Sequence, residues 1–299
     1  MSTSKRFVAW TGILIQGYAV YAGISHSLVW PIMWPKGLII YPIVSLIYLV
    51  GNCMLNATLT SEFVRKTQLE SDQTAARQIQ QTLIPQTLEE IQGYQLETFY
   101  KPFRDVGGDY FDVIDLPDGR TLFAVADVSG KGMAAALLAA NIQALVRSMA
   151  TVDPDPQRLS IQINRHLSRY TPADRFATAV LVLLDRSSGH LTYVNAGHNS
   201  PVLSCSGSAT SFETTGLPLG LFPDSTYESR TAQLAPNGTL LIFTDGLVDS
   251  ISDANPEARL QRTFASDPRR TMADLKSLVD TRLNEDDITI VLIHPTGSV

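Results

Sequence analysis

Residues 122–132 read Leu-Phe-Ala-Val-Ala-Asp127-Val128-Ser-Gly-Lys-Gly132, and residues 133–150 continue as MAAALLAANIQALVRSMA. The apolar, partly β-branched run at 122–128 predicts a strand. It delivers an aspartate directly into a glycine-flanked turn. The apolar stretch that follows, 132–150, predicts a helix buried on most of its faces. Such a layout has chemical meaning: a strand fixes the backbone that carries the carboxylate, and adjacent glycine leaves room for a cation or its water shell.

Working outward, apolar runs at 178–184, 191–195, 240–244 and 288–293 predict further strands. Pro117-Asp118-Gly119 and Arg186-Ser187-Ser188-Gly189 carry the turn chemistry of hairpins. Leu159, Ile163 and Leu167 place one apolar stripe on a helix over 156–170, and Met272, Leu275, Val279 and Leu283 place another on a later helix. Short turns between consecutive strands, with helices grouped between them, predict an α+β domain of antiparallel sheets covered by helices. Three more aspartate clusters accompany the first: Asp105-Val-Gly-Gly-Asp109-Tyr-Phe-Asp112, Thr244-Asp245-Gly246 and Asp286-Asp287-Ile-Thr289. Taken singly, an Asp-Gly pair is a common turn, and Asp118-Gly119 is only that. Gathered at one edge, aspartates suit hard divalent ions, which prefer carboxylate, carbonyl and water oxygens. The DVSGKG stretch lacks the spacing of a nucleotide-binding phosphate loop.

The 299-residue chain has 44% hydrophobic and 17% charged residues. The deficit of charge is local: from Phe7 to Leu59 only Lys36 is formally charged. Two uncharged spans, 7–28 and 37–59, are each long enough to cross a bilayer as a helix. Lys5 and Arg6 precede the first and Arg65 and Lys66 follow the second, so both ends face the cytoplasm. This predicts a two-helix transmembrane hairpin over residues 1–60. Lys5-Arg6 before an apolar run also fits a signal peptide, but the second span would then remain as an anchor. Residues 61–90 predict a helical linker stopped at Ile84-Pro85. It is either a solvated connector or a signalling helix that pairs with its twin in a homodimer. A net charge of −6 leaves no basic footprint for nucleic acid. Two cysteines, Cys53 and Cys205, provide neither a disulfide framework nor a thiolate metal site, consistent with a reducing compartment.

In chain order, ARQIQQTLIP (76–85), VGGDYFD (106–112), ADVSGKGMAAALLAA (126–140), FATAVLVLLD (176–185), NAGHNSP (195–201), GLPLG (216–220), FTDGLVDS (243–250) and DDITIVLI (286–293) resemble the PPM family of metal-dependent serine/threonine phosphatases (type 2C-like), in its bacterial SpoIIE/RsbU-like branch. The resemblance implies an α-β-β-α sandwich of two antiparallel sheets over residues 91–299. It implies two Mn²⁺ or Mg²⁺ ions held by Asp109, Asp127, the Val128 carbonyl, Asp245 and Asp286, with Asp287 an adjacent candidate and Asp112 standing behind them. Asp109 and Asp127 are the implied catalytic residues, Asp127 bridging two ions that acidify water from a pKa of about 15.7 towards about 7. His198 is read as structural, and Arg104 lies near the site in sequence. Asp249 stands where relatives often carry glutamate. The implied substrate is a protein phosphorylated on serine or threonine, for an RsbU-like enzyme a STAS-type anti-sigma-factor antagonist, reached from the bacterial inner (plasma) membrane. Two other readings stay open: a non-catalytic membrane signalling protein that uses this fold for binding, and another metal-dependent hydrolase such as a phosphodiesterase, whose sites usually include histidine ligands.

Overall fold

A computed structural model describes residues 37–83, 91–103, 106–205, 207–266, 272–279 and 286–296. The first predicted span, its connector, Arg104 and Asp105 lie outside the described residues. The chain divides into two compact units, Met1–Ser71 and Asp72–Val299.

Helix α1, Gly37–Leu83, runs without interruption through the second predicted span and the linker. From residue 61 onward it contains neither glycine nor proline and is built of good helix formers. It ends one residue before the Ile84-Pro85 pair, where the proline ring disfavours helical backbone at the residue before it. Within the first unit its apolar side chains stand out from the protein: Ile47 is 66% and Met54 68% exposed, and Leu46, Leu55 and Leu59 are similarly bare.

The second unit contains two five-stranded sheets. One runs in the order β2 (Tyr110–Asp115), β3 (Arg120–Val128), β4 (Ala177–Asp185), β5 (His190–Ala196) and β8 (Arg230–Gln233). The other runs β1 (Tyr94–Lys101), β10 (Ile288–Pro295), β9 (Thr239–Phe243), β6 (Val202–Cys205) and β7 (Ser208–Ser211). All the neighbouring strands pair antiparallel. The two predicted hairpin turns close on Gly119 and Gly189, at φ 84° and 71°, a left-handed backbone that glycine adopts without penalty.

The period-2 geometry of β3 explains why its sequence is apolar throughout rather than alternating. Phe123 and Val125 face the second sheet, meeting Leu240, Ile242, Val291 and Ile293. Leu122, Ala124 and Ala126 face outward, under helices α2 (Met133–Ala150) and α3 (Pro156–Tyr170). Both faces are dry, so neither can be polar. On the far side, Leu241, Phe243, Ile288 and Ile290 pack against α4 (Asp245–Asp249), α5 (Pro256–Ser266) and α6 (Met272–Leu278). The result is the four-layered α-β-β-α sandwich that the motif order implies. Helix α3 begins where Asp155 accepts the Arg158 N–H at 2.9 Å and Pro156 takes the first helical position.

One expectation needs correction. Helix α2 is not buried on most faces: Ala135, Leu138, Ala139, Ile142, Val146 and Ala150 form its buried stripe, whereas Leu137 is 66% exposed. The small side chains on the buried side let the helix lie close to the sheet. Among the described residues α2 is long and apolar enough to cross a membrane, but it forms a layer of the sandwich instead.

Candidate functional site

Four chain segments end at one edge of the sandwich. Asp127 leaves the end of β3, and Asp109 immediately precedes β2. Asp245 opens α4 just after β9, and Asp286 and Asp287 lead into β10. Because β9 and β10 are antiparallel neighbours, the end of one lies beside the start of the other. That pairing brings Asp245 to Asp286, which are about 40 residues apart in sequence.

Hydrogen bonds knit these ends together. Asp109 is 3% exposed, and its Oδ2 accepts the hydroxyls of Thr244 at 2.8 Å and Thr289 at 2.6 Å. The Thr289 N–H in turn donates to Thr244 Oγ1 at 2.9 Å. Both threonines belong to the aspartate motifs read from the sequence, but their work on Asp109 is visible only in three dimensions. Asp287 accepts the Phe103 N–H on Oδ1 at 2.7 Å and the Gly108 N–H on Oδ2 at 2.6 Å, so it ties down the loop that presents Asp109. Gln80, near the end of α1, grips the same loop: it accepts the Gly107 N–H at 3.1 Å and donates to the Gly107 carbonyl at 2.7 Å. Gln80 falls inside the ARQIQQTLIP segment, but its hold on this loop is visible only in three dimensions. Asp112 lies away from this group; buried, it takes a two-pronged ion pair from Arg147 (2.6 and 2.7 Å) and so pins α2 to β2.

Two of the motif glycines also serve the packing of backbone on backbone. A Cβ on Gly246 would collide with the Asp287 carbonyl oxygen, and one on Gly108 would stand 3.1 Å from the Val128 carbonyl oxygen. They let backbones approach one another, which is what allows the carboxylates to converge. His198 is buried, with Nδ1 paired to Thr178 Oγ1 at 2.9 Å and its backbone N–H donating to Asn195 Oδ1 at 2.8 Å. Burial pushes its imidazole down to about 4, so it stays neutral at physiological pH.

The convergence is electrostatically costly. Asp127 is pushed up to about 7, first by burial and then by Asp245, Asp286 and Asp287, with Lys131 pulling the other way. Burial and then Asp127 push Asp109 well above the ordinary carboxylate range, against the hydroxyls of Thr289 and Thr244. Burial and then Asp286 raise Asp245. Among the described residues Lys131 answers this charge: its Nζ lies 2.8 Å from Asp286 Oδ2. Among the described residues no three acidic, histidine or cysteine side chains form a ready-made cage. The donor chemistry nevertheless fits hard divalent ions, with Asp109, Asp127, Asp245 and Asp286 converging, the Val128 carbonyl beside Gly108, and neither thiolate nor accessible imidazole among them. Asp287, committed to backbone N–H groups, is placed to orient the loop.

The raised Asp127 carries a sign that can be tested. A carboxyl whose folded pKa lies above its unfolded one favours folding when protonated, and that stability is lost as pH rises through about 7. With divalent ions chelated, Asp127→Asn is therefore expected to melt several degrees above the wild type at about pH 8. The gap should shrink as pH falls towards about 5. Thermal denaturation in chelator at both pH values decides it, and equal melting at pH 8 would contradict the assignment of repulsion at this site.

Comparison with known proteins places these observations in a family. The family model described as Stage II sporulation protein E (SpoIIE) matches residues 117–296. The chain is 27% identical over 214 residues to the phosphoserine phosphatase RsbP of Bacillus subtilis, covering 70% of this chain and 52% of that protein. It is similar to the solved SiaA-PP2C domain of Pseudomonas aeruginosa, with a TM-score of 0.65, 22% identity, and coverage of 77% of this chain and 98% of that one. RsbX, solved in complex with magnesium, shares the fold at a TM-score of 0.54 and 23% identity, with 69% of this chain and 98% of that one covered. With its family match running from the β2–β3 turn through β10, and its aspartates brought to one edge of a PP2C-like sandwich, the chain belongs to the SpoIIE family.

Proposed function

We propose that this chain is a membrane-anchored, divalent-metal-dependent phosphatase that removes phosphate from serine or threonine of a regulatory protein. The observation that carries the reading is the gathering of Asp109, Asp127, Asp245 and Asp286 at one edge, where among the described residues Lys131 is the cation paired with the cluster. Two Mn²⁺ or Mg²⁺ ions there would supply charge neutralisation for the phosphoryl group and an acidified water. The chain's own residues supply the rest. Thr244 and Thr289 hold Asp109 in one orientation, Asp287 and Gln80 hold the loop that carries it, and the strand end holds Asp127. The family, and the name of RsbP as a phosphoserine phosphatase, support the reaction class. Resemblance to RsbU-like enzymes supports a STAS-type antagonist of an anti-sigma factor as the substrate, and hence a place in sigma-factor regulation.

The anchor reading rests on the uncharged spans 7–28 and 37–59 and on the bare apolar side chains of α1. The positive charges at Lys5, Arg6, Arg65 and Lys66 put the catalytic domain on the cytoplasmic side of the bacterial inner membrane. Since α1 ends by gripping Gly107 through Gln80, a homodimer formed along the linker would have a route to the loop that carries Asp109.

Two outcomes are expected. The full chain in detergent should release phosphate from a phosphoserine protein when Mn²⁺ is added, and Asp127→Asn should reduce release to background. Release that survives that substitution would overturn the site. In cells, the full chain should stay with the membrane fraction through an alkaline carbonate wash, while a chain lacking residues 1–60 should appear in the supernatant. Full-length protein released by the wash would overturn the anchor.

A further inference from the structure

Cations explain the aspartates, but a phosphate ester also needs donors for its outer oxygens. One guanidinium rests on the loop that leaves Asp127, through a single hydrogen bond among the described residues. Arg175 lies in the turn between α3 and β4 and donates from Nη1 to the Ser129 carbonyl at 3.0 Å. Its place is set by the β3–β4 ladder, which pairs Asp127 with Thr178 and Val128 with Ala177. The pairing continues beyond the strands: the Ser129 N–H donates to the Phe176 carbonyl at 2.9 Å, and the Phe176 N–H to Ser129 Oγ at 3.0 Å. Arg175 is the next residue along this clasp, so its guanidinium rests on the loop that leaves Asp127.

The surface beneath it is kept clear. Gly130 has φ 91°, and a Cβ built there would collide with Arg175 Nη1. The next residue, Lys131, is the one ion-paired with Asp286 at 2.8 Å. The loop that follows Asp127 therefore carries two cations, one spent on the acidic cluster. Among the described residues no carboxylate pairs with Arg175, which is half-buried. Its bond to Ser129 engages one donor of a planar group that has five, in a fork that fits two oxygens of one phosphate. A purely structural role is a weak account of it, because the Ser129–Phe176 pair of hydrogen bonds already ties the two segments together.

We propose that Arg175 binds the phosphoryl oxygens of the substrate's phosphoserine or phosphothreonine. This rests on the phosphatase reading of the same site and adds to it the residue that recognises the phosphate monoester. The test is steady-state kinetics of the full chain in detergent with saturating Mn²⁺, on a phosphoserine protein, with inorganic phosphate as the competing product. Arg175→Ala should raise the KM, and the inhibition constant for inorganic phosphate, by about 10- to 100-fold, the loss of a charged hydrogen-bonded contact. The Mn²⁺ concentration for half-maximal activity and the melting temperature should stay at wild-type values. Arg175→Lys, which keeps the charge and loses the fork, should recover part of the loss. The proposal fails if Arg175→Ala leaves KM and phosphate inhibition within about twofold of wild type. It also fails if their change is matched by weaker Mn²⁺ activation or a lower melting temperature, which would mark Arg175 as a brace for the loop. A wild-type chain that releases no phosphate with Mn²⁺ would instead overturn the phosphatase reading itself, a result separable from both.

Discussion

Carboxylates held close together with water excluded repel one another, and the fold of this protein is arranged around that repulsion. Asp127 is driven up to about 7 by burial and by three neighbouring aspartates. What holds the cluster in place is strand geometry. The β3–β4 ladder fixes Asp127, and the β9–β10 pairing carries Asp245 to Asp286. Two dry inter-layer cores hold those ladders rigid. Stability stored in the sandwich offsets the cost at its edge, the usual relation between a scaffold and a site.

Much of this was legible in the amino-acid order. β3 is readable as an apolar run into Asp127, and α3 through its stripe of Leu159, Ile163 and Leu167. The aspartates that meet were readable because each sits beside glycine or at a strand end. The meaning of the glycines was not: their neighbours are backbone atoms from other segments, as at Gly246 against Asp287, and sequence adjacency says nothing about those. The same limit hid Gln80, Lys131, Arg175 and the task of the two motif threonines. Gln80 reaches Gly107 across 27 residues and Thr289 reaches Asp109 across 180, so their roles exist only once the ladders are paired. The exposed side of helix α2 is hidden in the sequence for a related reason. An apolar composition does not tell which face will be covered, and its exposed Leu137 lies opposite the alanine-rich stripe that packs on the sheet.

The site as folded is internally braced on one side and open to exchange on the other. Asp109 is fixed by two hydroxyls and a loop held by Asp287 and Gln80, so its orientation does not depend on a bound ion. Asp286 instead pairs with Lys131, whose side chain is 41% exposed and whose ammonium also lies 5.2 Å from the centre of the Phe103 ring.

Calorimetric titration of the full chain with Mn²⁺, run in two buffers of different ionisation enthalpy, measures whether the gathered aspartates hold metal. Saturable binding near two ions per chain is expected, with protons released at about pH 7 as Asp127 ionises, and weakened binding in Asp127→Asn. Binding that is absent, or that is unchanged by removing the Asp127 carboxylate, would contradict the metal-site reading.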